Sequence, residues 1–323
     1  MSRLLSLKIL ACVLVAGLLI GSGGWFLTTR RTLPPEFSRR FVSPAQRLTT
    51  LLCTASGQQI VAGSADGEVV VLDVASEQIQ QLEPTARRAV VTLAESPDGL
   101  LLATGLGGEL RAWQIADWRT TKILSPEVTV TAVVFGKTTS DRQILLGLAD
   151  GRIAALTPAG LTLRKSGHRG VKSMLWGEQQ DVLITAGSEG KLIWHEFKSD
   201  KPLAVIDKHR TEVGCLSRSP SGEHVVSADW NGVIHWWDAK TRALIQSAQQ
   251  DDAVAAMDWH GERLVTGSWD GRIRVWQSDS NSARLLVTIN TGLPIHGLAV
   301  VKDRDVVATV SGTAAIELWK LPK

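Results

Sequence analysis

Leu264 to Gln277, LVTGSWDGRIRVWQ, reads as two β-strands joined by a tight turn. Polar and apolar residues alternate along Arg272, Ile273, Arg274 and Val275, which is the two-residue period of a strand and not the period of a helix. Trp269-Asp270-Gly271 supplies the turn between them. Aligning other segments on Gly271 gives the same position at Gly67, Gly108, Gly151, Gly190 and Gly232, with Ala314 last. Five residues beyond each stand Leu72, Trp113, Leu156, His195, Trp237, Trp276 and Trp319. The spacing is roughly 40 residues, a repeat length that identifies stacked or radial architectures.

Each unit carries further strands. In the fifth, Val213 to Leu216 is apolar, SPSG at Ser219 to Gly222 is a turn, and His224 to Ala228 is a second strand. The second unit repeats this with Val90 to Leu93, SPDG at Ser96 to Gly99, and Leu100 to Thr104. One such unit cannot bury both faces of its small sheet, so neighbours must stack around a ring. The twelve Trp, against five Phe and no Tyr, point to Trp at a recurring structural position. Trp176, Trp194, Trp236 and Trp259 fall within strand patterns and are assigned to the contacts between units.

These units resemble the WD40 family over about Phe37 to Lys323. The WD pair itself occurs at Trp237-Asp238, with Trp113-Gln114, Trp276-Gln277 and Trp319-Lys320 standing in elsewhere. The GH pair occurs at Gly167-His168, with Lys208-His209 as a variant. The resemblance implies a seven-bladed β-propeller in which a His, a Ser or Thr, a turn Asp and a strand Trp lock each blade by hydrogen bonds. Carried over, the fifth unit has His209, Ser227, Asn231 in place of Asp, and Trp237. The sixth has Thr266, Asp270 and Trp276, with Gln250 in place of His. The fourth has His168 and Thr185, with Glu189 for Asp and His195 for Trp. On this reading no unit has a complete lock.

The last unit stops at Leu321-Pro322-Lys323, after its third strand. An unpaired edge is a liability, and Glu36 to Pro44 is available to fill it. Phe37 to Val42 is therefore expected beside Ala315 to Trp319, which makes 36–323 one propeller domain.

Ahead of the propeller, residues 1–8 form a basic tail, 9–27 an uncharged apolar run and 28–35 a linker. The run, ILACVLVAGLLIGSGGWFL, has about the length of a bilayer-spanning helix. It is expected to form a membrane anchor, giving a single-pass protein with its propeller outside the cytoplasm. The alternative is a cleaved signal, since GSGG at 21–24 follows the most apolar stretch. Gly17 and Gly21 form a GxxxG that would allow pairing with another membrane helix.

Lys and Arg total 35 against 32 Asp and Glu, for a net charge of +3 with no basic stripe, so a nucleic-acid partner is not indicated. Cys12, Cys53 and Cys215 form no CxxC pair, and the His residues no HExxH, so no metal or cofactor site is read. The Ser, His and Asp residues fall on blade-lock positions, and no GxSxG elbow occurs, so no catalytic residue is assigned. The WD40 resemblance places partner contacts on one mouth of the ring. The matching positions are Trp230, Trp269 and Leu106 before the turns, and Arg47, Thr49, Thr129, Thr131, Lys172, Glu212 and His296 at the inner strands. The expected function is a membrane-anchored platform for a protein partner, as an accessory subunit or assembly factor. A free exported binding or sensor protein is the alternative, and an enzyme centred on the channel a third.

Overall fold

The structure, a computed structural model, describes residues 36–82, 88–96, 99–105, 108–124, 128–136, 143–157, 160–177, 181–197, 199, 201–279 and 282–322. These residues are all-β: the strands, β1 to β28 in chain order, form seven four-stranded sheets. The fifth sheet shows the plan, an antiparallel meander of β18 (Val213–Arg218), β19 (His224–Asp229), β20 (Val233–Asp238) and β21 (Leu244–Gln249). The other innermost strands are β2 (Leu48–Cys53), β6 (Val90–Glu95), β10 (Val130–Phe135), β14 (Val171–Trp176), β22 (Val254–His260) and β26 (Gly297–Val301). Each packs against the next, and β26 returns to β2, so the sheets close into a ring.

Position in the sheet explains the composition of each strand. Every residue of β19 is buried, because its two faces are covered by neighbouring sheets. Outermost strands such as β17 (Pro202–Asp207) are mostly exposed. Second and third strands therefore read as continuous apolar runs, and alternation survives only toward the rim. Trp113, Trp194, Trp236 and Trp319 are among the largest fully buried side chains, wedged between adjacent sheets.

The seventh sheet draws on both ends of the described chain. β26, β27 (Val306–Val310) and β28 (Ala315–Lys320) are joined by β1 (Phe37–Val42), antiparallel to β28 with Phe37 opposite Trp319 and Val42 opposite Ala315. Amides beyond the strand extend the seam: Lys320 donates to Glu36 at 2.7 Å and Ser43 to Ala314 at 2.6 Å. The Phe37 ring meets the Trp319 indole edge-on, 5.2 Å between centroids.

Two expectations are corrected. A helix was expected ahead of the propeller, but the described residues contain no helix, so the fold they show is all-β alone. No described helix is long and apolar enough to cross a membrane, so the single-pass membrane assignment finds no support among the described residues. Residues 9–27, with Gly17 and Gly21, lie outside the described residues.

Candidate interaction surface

A repeated irregularity builds one mouth of the ring. In six of the innermost strands the register with the second strand shifts just after the first residue, between Leu48 and Thr50, Val90 and Thr92, Val130 and Ala132, Val171 and Ser173, Val213 and Cys215, and Val254 and Ala256. A β-bulge leaves one residue unpaired and re-aims its side chain. The residues skipped here are Thr49, Val91, Thr131, Lys172, Gly214 and Ala255, and all six line a single cavity of about 480 Å³ at the channel mouth.

The turn between second and third strands leans over the same mouth. The amide of the residue two before the turn glycine donates to the carbonyl of a residue just ahead of the innermost strand: Ala65 to Arg47, Ala149 to Thr129, Ser188 to Gly170, Trp230 to Glu212 and Trp269 to Ala253, all at 3.0–3.1 Å. The backbone geometry is common to five sheets, but the side chains are not. Small residues occupy this position in the first, third and fourth sheets, and Trp occupies it in the fifth and sixth.

Trp230 and Trp269 consequently touch, with ring centroids 5.5 Å apart, and Trp269 continues to the His296 ring at 5.9 Å. Both indoles remain open to solvent, at 50% and 39% exposure. Gly214 makes room for the first: a Cβ there would lie 3.0 Å from Trp230 Nε1. Burial holds His296 below the ordinary histidine range, so this end of the arc is neutral at pH 7. Beside Trp230, whose amide bonds the Glu212 carbonyl, Lys172 Nζ pairs with Glu212 Oε2 at 2.9 Å. Cys215 also lines the cavity, but burial pushes its thiol up to about 12, which leaves it protonated and unreactive.

Beneath the mouth, polar chains cross the interior of three sheets. In the fifth, Trp237 Nε1–H donates to Ser227 Oγ at 2.8 Å, Ser227 meets His209 Nε2 at 2.7 Å, and His209 Nδ1 meets Asp229 Oδ2 at 2.9 Å. Indole nitrogen can only donate, so the chain runs one way, from Trp to hydroxyl to imidazole to carboxylate. In the fourth, His195 Nε2 takes the place of the indole, 2.9 Å from Thr185 Oγ1; Thr185 meets His168 Nε2 at 2.8 Å, and His168 Nδ1 meets Glu189 Oε1 at 2.5 Å. The sixth sheet replaces His with Gln250, whose Nε2 reaches Thr266 Oγ1 at 2.6 Å, while Trp276 Nε1 donates to the same oxygen.

A family model described as WD domain, G-beta repeat matches residues 200–238 and 243–277, which include the polar chains of the fifth and sixth sheets. The chain thus carries WD40 repeats on a β-propeller fold. It is 24% identical over 243 residues to Cilia- and flagella-associated protein 52 of Bos taurus, covering 72% of this chain and 38% of that protein. It is 28% identical over 191 residues to WD repeat-containing protein WDS homolog of Arabidopsis thaliana, covering 55% and 36%. The matches thus span little more than a third of those relatives. A chain of a mitotic checkpoint complex superposes with a TM-score of 0.76 at 16% identity, covering 96% of this chain and 98% of that one. The Cps50 (Swd1) β-propeller domain of Myceliophteria thermophila does so with a TM-score of 0.76 at 12% identity, covering 90% and 100%. These likenesses establish the fold.

In this propeller, seven of the partner positions expected from sequence meet at one cavity: Thr49, Thr131, Lys172, Glu212, Trp230, Trp269 and His296. Thr131 is partly committed to structure, since its hydroxyl lies within hydrogen-bonding reach of the carbonyls of Gly147 and Val171 and shares its one proton between them. Arg47 stands off on the rim, paired with Asp66 at 3.3 Å, and the Thr129 carbonyl is occupied by the Ala149 amide. Leu106 lies outside the described residues.

The lock assignments need one correction. Asn231 is not the acidic member of the fifth lock: its amide donates to Asp229 Oδ1, and Asp229, two residues earlier, supplies the carboxylate. That lock is therefore complete. Asp270 of the sixth sheet also misses the direct position and instead pairs with Arg274 at 2.7 Å, which reaches Gln250 Oε1 at 3.1 Å.

Proposed function

We propose that the chain is a binding platform that holds a protein partner against the mouth of its channel, on the arc formed by Trp230, Trp269 and His296. The observation that carries this reading is the asymmetry of an otherwise repeated geometry. Five sheets present the same amide-anchored position, and two adjacent ones fill it with half-exposed Trp. Exposed Trp pairs are the residues that dominate interface energies, whereas burial of a core requires no such exposure. The Lys172–Glu212 pair beside Trp230 offers polar contacts that fix orientation.

The presence of a propeller of the same shape in a mitotic checkpoint complex supports reading this chain as one subunit of a larger assembly. A free binding protein is the other form of the same platform, and the two differ in whether the partner remains bound through size-exclusion chromatography.

The reading is tested by placing a photo-crosslinking residue at position 230 or 269 and, as a control, at Leu285 on the outer rim. Partner adducts from the mouth and none from the rim are expected. Trp230→Ala or Trp269→Ala should weaken capture by roughly 2 kcal/mol or more. Equal adducts from rim and mouth would refute the assignment.

A further inference from the structure

The repeat contains its own control for a second site, at the junction of the fourth and fifth sheets. In the fifth sheet the buried Trp236 donates its Nε1–H to Ser278 Oγ of the sixth sheet at 3.2 Å. One repeat earlier, Trp194 stands where Trp236 does, directly before the lock residue. Ala239 stands where Ser278 does, two residues beyond the lock Trp. The hydroxyl is missing, and Nε1 of Trp194, a residue only 1% exposed, meets no acceptor among the described residues.

A cavity of about 390 Å³ opens beside it, lined by Trp194, Val182, Ile184 and Val225 and closed by the turn that carries Ala239, Lys240 and Arg242. Arg242 brings a second unmet donor, because its buried Nε also lacks an acceptor among the described residues. The turn is held firmly: Asp238 Oδ1 accepts from the amides of Lys240 and Thr241, and the Arg242 amide donates to the Asp238 carbonyl at 2.8 Å. This fixes Arg242 at a φ of 65°. The described lining residues therefore offer an indole donor, a guanidinium and an ammonium over an apolar wall, with no carboxylate among them.

Buried donors without acceptors are costly unless something accepts from them, and the volume lies in the range of small-molecule sites. We propose that this cleft between sheets binds a small carboxylate with an apolar tail. The carboxylate accepts from Trp194 Nε1 and Arg242, Lys240 adds charge at the rim, and the tail lies on Val182, Ile184 and Val225.

The test is a titration of the full chain with octanoate, followed by the indole N–H resonance of Trp194, identified by its loss in Trp194→Phe. Saturable movement of that resonance is expected with octanoate but not with octylamine. Ala239→Ser supplies the hydroxyl that the next repeat already tolerates, and should weaken octanoate binding at least tenfold without loss of folding. Arg242→Gln should weaken it about tenfold, the scale of one charge-assisted hydrogen bond. A Trp194 resonance unmoved by millimolar octanoate, or affinity unchanged in either variant, overturns the proposal. Neither substitution touches the channel mouth, so these outcomes are independent of partner capture there.

Discussion

Asp229 Oδ2 lies 2.9 Å from His209 Nδ1, and both side chains are almost completely buried. Burial alone would raise the Asp229 carboxyl, but hydrogen bonds from His209 and from the amides of Val233 and Asn231 hold it below the ordinary carboxylate range. The carboxylate thus ties the β19–β20 turn to the loop preceding β18.

Asp229→Ala should therefore cost about 3 kcal/mol, since it strands a buried imidazole donor and frees the turn amides. Asn231→Ala should cost under about 1 kcal/mol, because Asn231 contributes through its backbone. Urea melts of both variants at pH 7.5 compare them directly. Equal losses would show that the lock carboxylate has been assigned to the wrong residue.

His195 gives the fourth sheet an acid sensitivity that a Trp there would not. Burial, with Arg164 and His168 nearby, lowers its pKa to about 4. Between that value and the ordinary 6.5 the unfolded chain binds more protons than the folded one, so stability falls as pH drops through this window. The slope approaches about 1.4 kcal/mol per pH unit for one such histidine. His235, likewise lowered to about 4 by burial and by His209, acts in the same direction. His195→Trp should leave the melting temperature at pH 7.5 nearly unchanged and flatten its decline between pH 6.5 and 4. A wild-type melting temperature that does not move across that range would contradict the assignment of His195 as a neutral donor.

The turn glycines are legible from sequence because a tight turn of this kind demands positive φ, as at Gly232 (81°) and Gly271 (77°), and few other residues supply it. Trp230 and Trp269 are placed by their offset from those glycines, and the inner-strand positions by the apolar residue that opens each innermost strand. The lock carboxylate is harder to place. Positions one and three residues before the glycine both reach the same imidazole, through Glu189 in the fourth sheet and Asp229 in the fifth. Only three-dimensional reach decides between them, and the sequence pattern favours the nearer one. The bulged residues Val91, Gly214 and Ala255 carry no chemical signal of their own. Their role comes from a register shift, which leaves no mark in composition. The vacancy opposite Trp194 is written in the sequence as Ala239 against Ser278, but it acquires meaning only when the two sheets are seen in contact.

Gly214 controls the pose of Trp230 and hence the mouth. Gly214→Ala places a methyl 3.0 Å from the indole nitrogen, so the ring must move by a few tenths of an ångström or more. A shifted Trp230 indole resonance and several-fold weaker partner capture are expected, with stability changed by less than about 1 kcal/mol. Capture equal to wild type with a shifted indole would remove Trp230 from the contact surface.

Ring closure rests on the seam between β1 and β28, and its energy is unevenly distributed along six residues. Phe37 is half-buried, packs edge-on against Trp319 and joins the apolar cluster around Val300 and Leu321. Val42, at the other end, is 74% exposed. Phe37→Ala should therefore cost about 2 kcal/mol, below the range for a fully buried aromatic, and Val42→Ala under about 0.5 kcal/mol. Deleting residues 1–45 removes both the seam and its backbone hydrogen bonds and leaves β28 as a bare edge, so a fall in melting temperature larger than that of Phe37→Ala is expected, together with concentration-dependent association through the exposed strand. Thermal melts and sedimentation of the three variants check this. A truncated chain that melts with the wild type would mean that the ring holds through its innermost strands alone, from β26 back to β2, and that β1 is an attachment to the seventh sheet with no part in closing it.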